Sequence, residues 1–335
     1  MHSNSALYIA YRCFDAEPSK ILSTLTKHDR MGDGDQVTLY LDPYHDHRTG
    51  YYFTVNPSGV MQEGVMYNDD WMDNSWDGDW EAAAARDDSG WTAEMKIPFS
   101  SLRFNSTSEL MTWGVNAQRY IGRDKESTYW QPVTRDRGRR VSGFGNLEGL
   151  SNLNPGRGLE LRPYAVANFQ QDQATPLHGQ NDWNNIGLDV KYRLASNLTL
   201  DATANPDFAQ IEADDERINL SDYPIYLQEK RPFFLEGASI FDTAWDLFYS
   251  RRITDPDAGA KISGKVGSVR LMALAARNRN ADRQIEDFGV LRLKRDILKR
   301  SSLGMLITDK EGPNGDYARV WDLDSRFQLG DPITI

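Results

Sequence analysis

The chain has 335 residues, 38 of them basic and 49 acidic, for a formal net charge of -11. This balance excludes binding driven by neutralising phosphates, so nucleic acid is not an expected partner, and the length suits two domains better than one. The single cysteine, Cys13, excludes an internal disulfide, and no run of about 18 apolar residues offers a transmembrane helix, although strands of about ten residues with one apolar face can still cross a bilayer.

Residues 1–150 alternate short β-like runs with turns rich in Asp, Gly, Asn and Pro, the rhythm of a sandwich. In chain order the predicted strands are LYIAYRCF, QVTLYLD, YYFTVN, DWEAAAARD, GWTAEMKIPF, MTWGVNAQRY and STYWQPV. Val37, Leu39 and Leu41 share one face of the second. The alanines at 82–85 are compatible with helix, but the flanking tryptophans and the DDSG turn at 87–90 predict a hairpin. Cys13 lies in an apolar run and reads as a buried small hydrophobe.

Two stretches between these runs carry candidate chemistry. The loop DPYHDHRTG holds His45 and His47 beside Asp42 and Asp46, which suits a transition metal in type but offers no third remote ligand. The second stretch, YNDDWMDNSWDGDW, sets Trp71, Trp76 and Trp80 among aspartates. Indole faces stack on the flat apolar faces of sugars while polar neighbours hold hydroxyls. The expected carbohydrate platform is therefore Trp71, Trp76 and Trp80, with Trp130 of STYWQPV, and with Asn56 and Arg119 as hydrogen-bonding partners. Trp80 opens a strand and fits the core equally well. Asp73, Asp77 and Asp79 are the expected ligands of a structural Ca²⁺, though their spacing is not that of an EF-hand and a turn of solvated aspartates fits the same letters. No cofactor is required.

The stretch NLEGLSNLNPGRG, 146–158, is the expected linker, giving domains 1–150 and 151–335. Beyond it the alternation sharpens. In IGLDVKYRL, residues Ile186, Leu188, Val190, Tyr192 and Leu194 face one way, and Asp189, Lys191 and Arg193 the other. The next run sets Leu198, Leu200, Ala202 and Ala204 opposite Thr199, Asp201 and Thr203, so the two predict a hairpin. Further alternating runs follow in GSVRLMALAARN, FGVLRLKRD, SSLGMLITD and YARVWDLDSRFQ, the last with Tyr317, Trp321, Leu323 and Phe327 on one face. Such strands fit a soluble sheet, or a barrel wall with lipid outside and water inside; the charged face and the aromatics favour the wall. In the segment 204–237, the stretch DFAQIEADDERINLSDYPIYL, 207–227, is too acidic for a lipid-facing wall, and Glu229, Lys230, Arg231 and Glu236 form an expected plug or mouth, or a plain closing loop.

The blocks NPDF, EAD, NLSDYPIYLQEKRPFFLEG and LFYSRRI resemble an outer-membrane barrel family of Gram-negative bacteria, and residues 1–150 resemble its N-terminal module, similar to family-nine carbohydrate-binding modules, through DGDQVTLYLDPYHDHRTGYYFTVNPSGV and WDGDWEAAAARDDSGWTAEMKIPFSSLRF. The resemblance implies an all-β chain, an N-terminal β-sandwich plus the first antiparallel strands of an up-and-down transmembrane β-barrel. It implies a fragment cut at both ends, located in the outer membrane with the sandwich in the periplasm or at the cell surface. The implied partners are a glycan or other polar ligand and outer-membrane lipid; the oligomeric state is left open. A GxSxG elbow, an HExxH helix and a Walker loop are absent from the sequence, so binding is expected rather than turnover. The alternatives are a glycoside hydrolase with a sugar-binding module, and a structural or secretion-associated barrel with a protein-binding sandwich.

Overall fold

The structure, a computed structural model, describes residues 1–105, 110–133, 141–156, 158–169, 181–206, 227, 229–243, 245–280, 282–298 and 301–327, with side chains at 166–169 and 181–185 left aside. The stretch 207–226, on which the sequence reading of the acidic segment rests, therefore lies outside the described residues. The fold is all-β, and the chain divides into two compact units meeting at Gly158 and Leu159.

The first unit is a sandwich of two antiparallel sheets. Its strands are β1 (Ala6–Phe14), β2 (Gln36–Asp42), β3 (Gly50–Val55), β4 (Met61–Tyr67), β5 (Trp71–Asp73), β6 (Glu81–Asp87), β7 (Gly90–Pro98), β8 (Leu110–Ile121), β9 (Glu126–Tyr129) and β10 (Gly145–Ser151). One sheet runs β1-β7-β6 and the other β10-β8-β2-β3-β4-β5, with β9 added to β8. The alternation of QVTLYLD sends Val37, Leu39 and Leu41 inward with Phe53 and Val55, where they meet Trp91, Ala93, Met95 and Ile97 from the facing sheet. Cys13 is buried in this core. The alanine run is strand: Asp87 pairs with Gly90 across a two-residue turn. Gly90 is required there, because its φ of +143° disfavours a side chain and a Cβ would lie 1.9 Å from the Cys13 carbonyl oxygen.

The second unit is one antiparallel meander of eight strands in chain order: β11 (Leu159–Phe169), β12 (Asn181–Ala195), β13 (Leu198–Ala204), β14 (Pro256–Val266), β15 (Val269–Arg279), β16 (Ile285–Ile297), β17 (Ser301–Glu311) and β18 (Tyr317–Arg326). Leu188 pairs with Ala204 and Val190 with Ala202, the register that the apolar alternation requires. Its two faces differ. On one, Ile186, Leu188, Tyr192, Leu194, Leu303 and Leu323 are exposed and Trp321 is 78% exposed; on the other, Asp201, Lys261, Lys265 and Arg292 are buried. Described residues between 229 and 255 cover this second face, which also carries an apolar patch: Phe234, Phe241 and Ile253 pack on Met272, Leu274, Ala276, Val290 and Leu306. No described helix is long and apolar enough to cross a membrane.

Candidate functional site

The sandwich does not gather its tryptophans into one platform. Trp71 stands half exposed (48%) on the edge strand β5, edge-on to Tyr67 at 5.7 Å. Trp130, 59% exposed, follows β9 at the other side of the same sheet. Five inter-strand steps of about 4.8 Å put roughly 24 Å between these edges. Trp76 turns inward, edge-on to Tyr51 at 4.8 Å and to Phe53 at 6.0 Å. Trp80 is core: it packs on Phe53 at 5.1 Å and its Nε1 donates to Glu63 Oε2 at 2.8 Å. The expectation of a ligand platform is corrected for Trp80, since a fully packed indole offers no face.

Asn56 is likewise corrected. It is buried, and its Oδ1 accepts the amides of Ser58 and Val60, both at 2.9 Å, while its Nδ2 donates to Thr24 O at 2.8 Å, so the side chain builds the β3–β4 turn. Arg119 is engaged at the end of β1, its Nη1 donating to Phe14 O at 2.6 Å and its Nη2 lying 3.7 Å from Asp15. Arg123 also reaches Asp15, at 3.0 Å, and this hydrogen bond holds the Asp15 carboxyl below its ordinary value.

Trp130 has the better surroundings for a ligand. A Cβ on Gly145 would lie 2.8 Å from its ring, so the indole rests on a glycine with its far side open. Behind it a polar network is closed on itself: Tyr40 Oη donates to Gln118 Oε1 at 2.6 Å, Gln118 Nε2 donates to Ser127 Oγ at 3.0 Å, and Asn116 Oδ1 accepts the Gln131 amide at 2.8 Å, with Tyr40, Asn116 and Gln118 all buried. This network was not read from the sequence; its alternation with the core residues of β2 and β8 was the signal available.

The candidate metal residues separate too. Asp73 Oδ1 accepts the Ser75 amide at 2.9 Å, Asp77 and Asp79 are exposed, and the three do not form a ligand cluster among the described residues. His45 and His47 stand with ring centroids 4.5 Å apart, and His45 Nε2 meets Asn146 Oδ1 at 3.2 Å. Asp42 beneath them accepts the amides of Asp46 and His47 at 3.2 and 2.8 Å, a loop-building role. The cluster that does form is His28, Asp29 and Glu63, whose ligand atoms all lie within 4.8 Å of one another. Burial pushes the Glu63 carboxyl up, against the hydrogen bonds of Trp80 and His28.

On the second unit, the four charges expected to form a plug divide into two anchors. Arg231 is buried with its Nε and Nη2 on the two oxygens of Glu229, at 2.8 and 2.7 Å, its Nη2 also on Ser250 O at 2.9 Å, its Nη1 on Ile253 O, and its guanidinium 4.3 Å from the Phe234 ring centre. Burial pushes the Glu229 carboxyl up, but the bonds from Arg231 and Ser250 bring it below its ordinary value. Glu236 pairs with Lys191 of β12 at 2.9 Å. Lys261, 2% exposed, donates 2.9 Å bonds to the carbonyls of both Phe233 and Glu236. Lys230 contributes its amide to Glu229 at 3.0 Å. Beside these anchors a cleft of about 70 Å³ is lined by Glu160, Arg162, Asp189, Lys191, Asp201 and Glu236, among others.

A family model described as a domain of unknown function, DUF5916, matches residues 155–267. Among solved structures, the crystal structure of "a putative carbohydrate-binding protein from Bacteroides uniformis" is similar to 43% of this chain and to 73% of its own, at 16% identity and a TM-score of 0.36. No curated protein matches the chain.

Proposed function

We propose that the chain belongs to a Gram-negative outer-membrane barrel whose second unit forms part of the lipid-facing wall and whose sandwich captures a glycan. The observation that carries this reading is the difference between the two faces of the eight-stranded sheet: aliphatic and aromatic side chains face outward while Asp201, Lys261 and Arg292 lie beneath a covering segment. Water would penalise that outer face, whereas hydrocarbon accepts it, and the covering segment keeps the charges paired. Lipid on one side and a filled lumen on the other account for both faces at once. Glycan capture rests on Trp130, an exposed indole lying over Gly145, with Trp71 as a separate second contact.

The test pairs two measurements on the full chain folded into lipid vesicles. A glycan array reports capture, and reducing-sugar release from each bound glycan reports hydrolysis. Binding without release, weakened by about 1–3 kcal/mol in Trp130→Ala, is the expected result. Release of sugar would make the chain a hydrolase. Failure to enter vesicles, with the protein soluble in their absence, would refute the wall.

A further inference from the structure

The geometry points to a zinc-class divalent metal site in the sandwich, formed by His28 Nε2, Asp29 Oδ1 and the Glu63 carboxylate, with the fourth position open to water. The site joins two elements. His28 and Asp29 lie in the connection between β1 and β2, held against β4 by the Asp29 amide on Met61 O and by Gln62 Nε2 on Asp29 O, both at 3.0 Å. Glu63 belongs to β4, and its side chain points into the core with 0% exposure.

Distances decide the ion class. Four ligands about 2.0–2.1 Å from a tetrahedral zinc stand about 3.4 Å from one another. His28 Nε2 lies 3.1 and 3.2 Å from the two Glu63 oxygens and 3.6 Å from Asp29 Oδ1, so the two edges that meet at His28 bracket that length, and the third, from Asp29 to Glu63, is within 4.8 Å. An imidazole nitrogen suits zinc and its neighbours in the transition series, while calcium takes six to eight oxygens at longer distances.

Charge and hydrogen bonding favour a dication over a plain ion pair. One imidazole nitrogen faces two carboxylates, and a single N–H cannot satisfy both. Asp29 Oδ1 is shielded from solvent and without a hydrogen bond, although the Asp29 side chain is part-exposed and its carboxylate is held by the Glu63 backbone. The deeper charge is Glu63, whose side chain is 0% exposed and costly without a counter-charge. Behind the ligands, Trp80 Nε1 at 2.8 Å and the Gly78 amide at 3.4 Å orient the Glu63 carboxylate, as an outer shell does at a metal centre. His28 and Asp29 are about half exposed, 48% and 41%, which leaves a path for the ion and a coordination position for water.

The experiment uses tag-free full-length protein, stripped with chelator and titrated with Zn²⁺ by calorimetry, then with Co²⁺ by visible absorption. One equivalent of Zn²⁺ should bind, Co²⁺ should give the intense absorption of a tetrahedral site, and Trp80 emission should change as Glu63 is engaged. His28→Ala and Asp29→Asn should each weaken binding roughly tenfold or more, with near-ultraviolet circular dichroism confirming that both variants fold. A paired His45→Ala, His47→Ala variant should bind as the parent does. Absence of saturable binding, parent affinity in His28→Ala, or loss confined to the His45 and His47 variant would each overturn the assignment.

Discussion

Arg231 shows how much one side chain holds in the covering segment. Replacing it by Ala removes both guanidinium bonds from the largely buried Glu229 carboxylate, which keeps the Ser250 hydroxyl and two backbone amides, and takes a donor from the carbonyls of Ser250 and Ile253. Arg231→Ala should destabilise the second unit by about 3–5 kcal/mol, the range for removing one partner of a buried pair, measured by denaturant unfolding in detergent micelles. Glu229 also sets a pH dependence. Its carboxyl is depressed in the folded protein, so its stabilisation is complete above the ordinary glutamate value and is lost as pH falls through the depressed one. The stability difference between the parent and Glu229→Gln should hold from pH 7 to about 5 and shrink below about 4.3; a difference that grows on acidification would contradict the sign. In the sandwich, Trp76→Ala removes an indole packed on Tyr51 and Phe53 and should cost about 2–4 kcal/mol of unfolding free energy, with a smaller effect on ligand binding than Trp130→Ala.

Among the elements, the β12–β13 hairpin tests the wall directly. Val190→Arg should cost about 2–4 kcal/mol in a bilayer if the side chain lies near its midplane, and Asp189→Asn on the polar face less than about 1 kcal/mol; small effects at both would indicate a soluble sheet. This hairpin was legible because period-two alternation fixes both face and register, as the pairing of Lys191 with Asp201 shows. The turn at 87–90 was legible for a similar local reason. Strand order was not. Trp71 and Trp130 look like members of one aromatic set until β8, β2, β3 and β4 are interposed between their edges. Trp80 and Asn56 have the letters of ligand residues, yet one buries its ring beside Glu63 and the other spends its amide on a turn. His28 lies 35 positions from Glu63, and only the fold brings them together. An acid at a core-facing position of MQEGVMY was the one local hint of that cluster.

For the whole molecule, the proposed wall gives the two units different surroundings. The sandwich closes its core on itself, while the outward face of the meander exposes Leu303, Trp321 and Leu323 together with the ion pairs Arg277–Asp287 and Arg319–Asp309. In vesicles of brominated lipid, Trp321 should be quenched while the buried Trp91 and Trp113 are spared, so Trp321→Phe should remove most of the quenchable emission. Equal quenching of parent and variant would place that strand away from lipid.

The covering segment also decides when the sheet can be assembled. Residues 205–255, 51 in all, separate β13 from its neighbour β14, whereas five residues, 280–284, separate β15 from β16. Loop-closure entropy makes the longer connection about 2 kcal/mol harder to close. The repayment comes from the segment itself, since Lys261 of β14 reaches the carbonyls of Phe233 and Glu236 only when β14 stands beside β13. Pairing and covering therefore share the same contacts. Of the connections between the eight strands, the one between β13 and β14 spans the most residues and carries the largest closure cost.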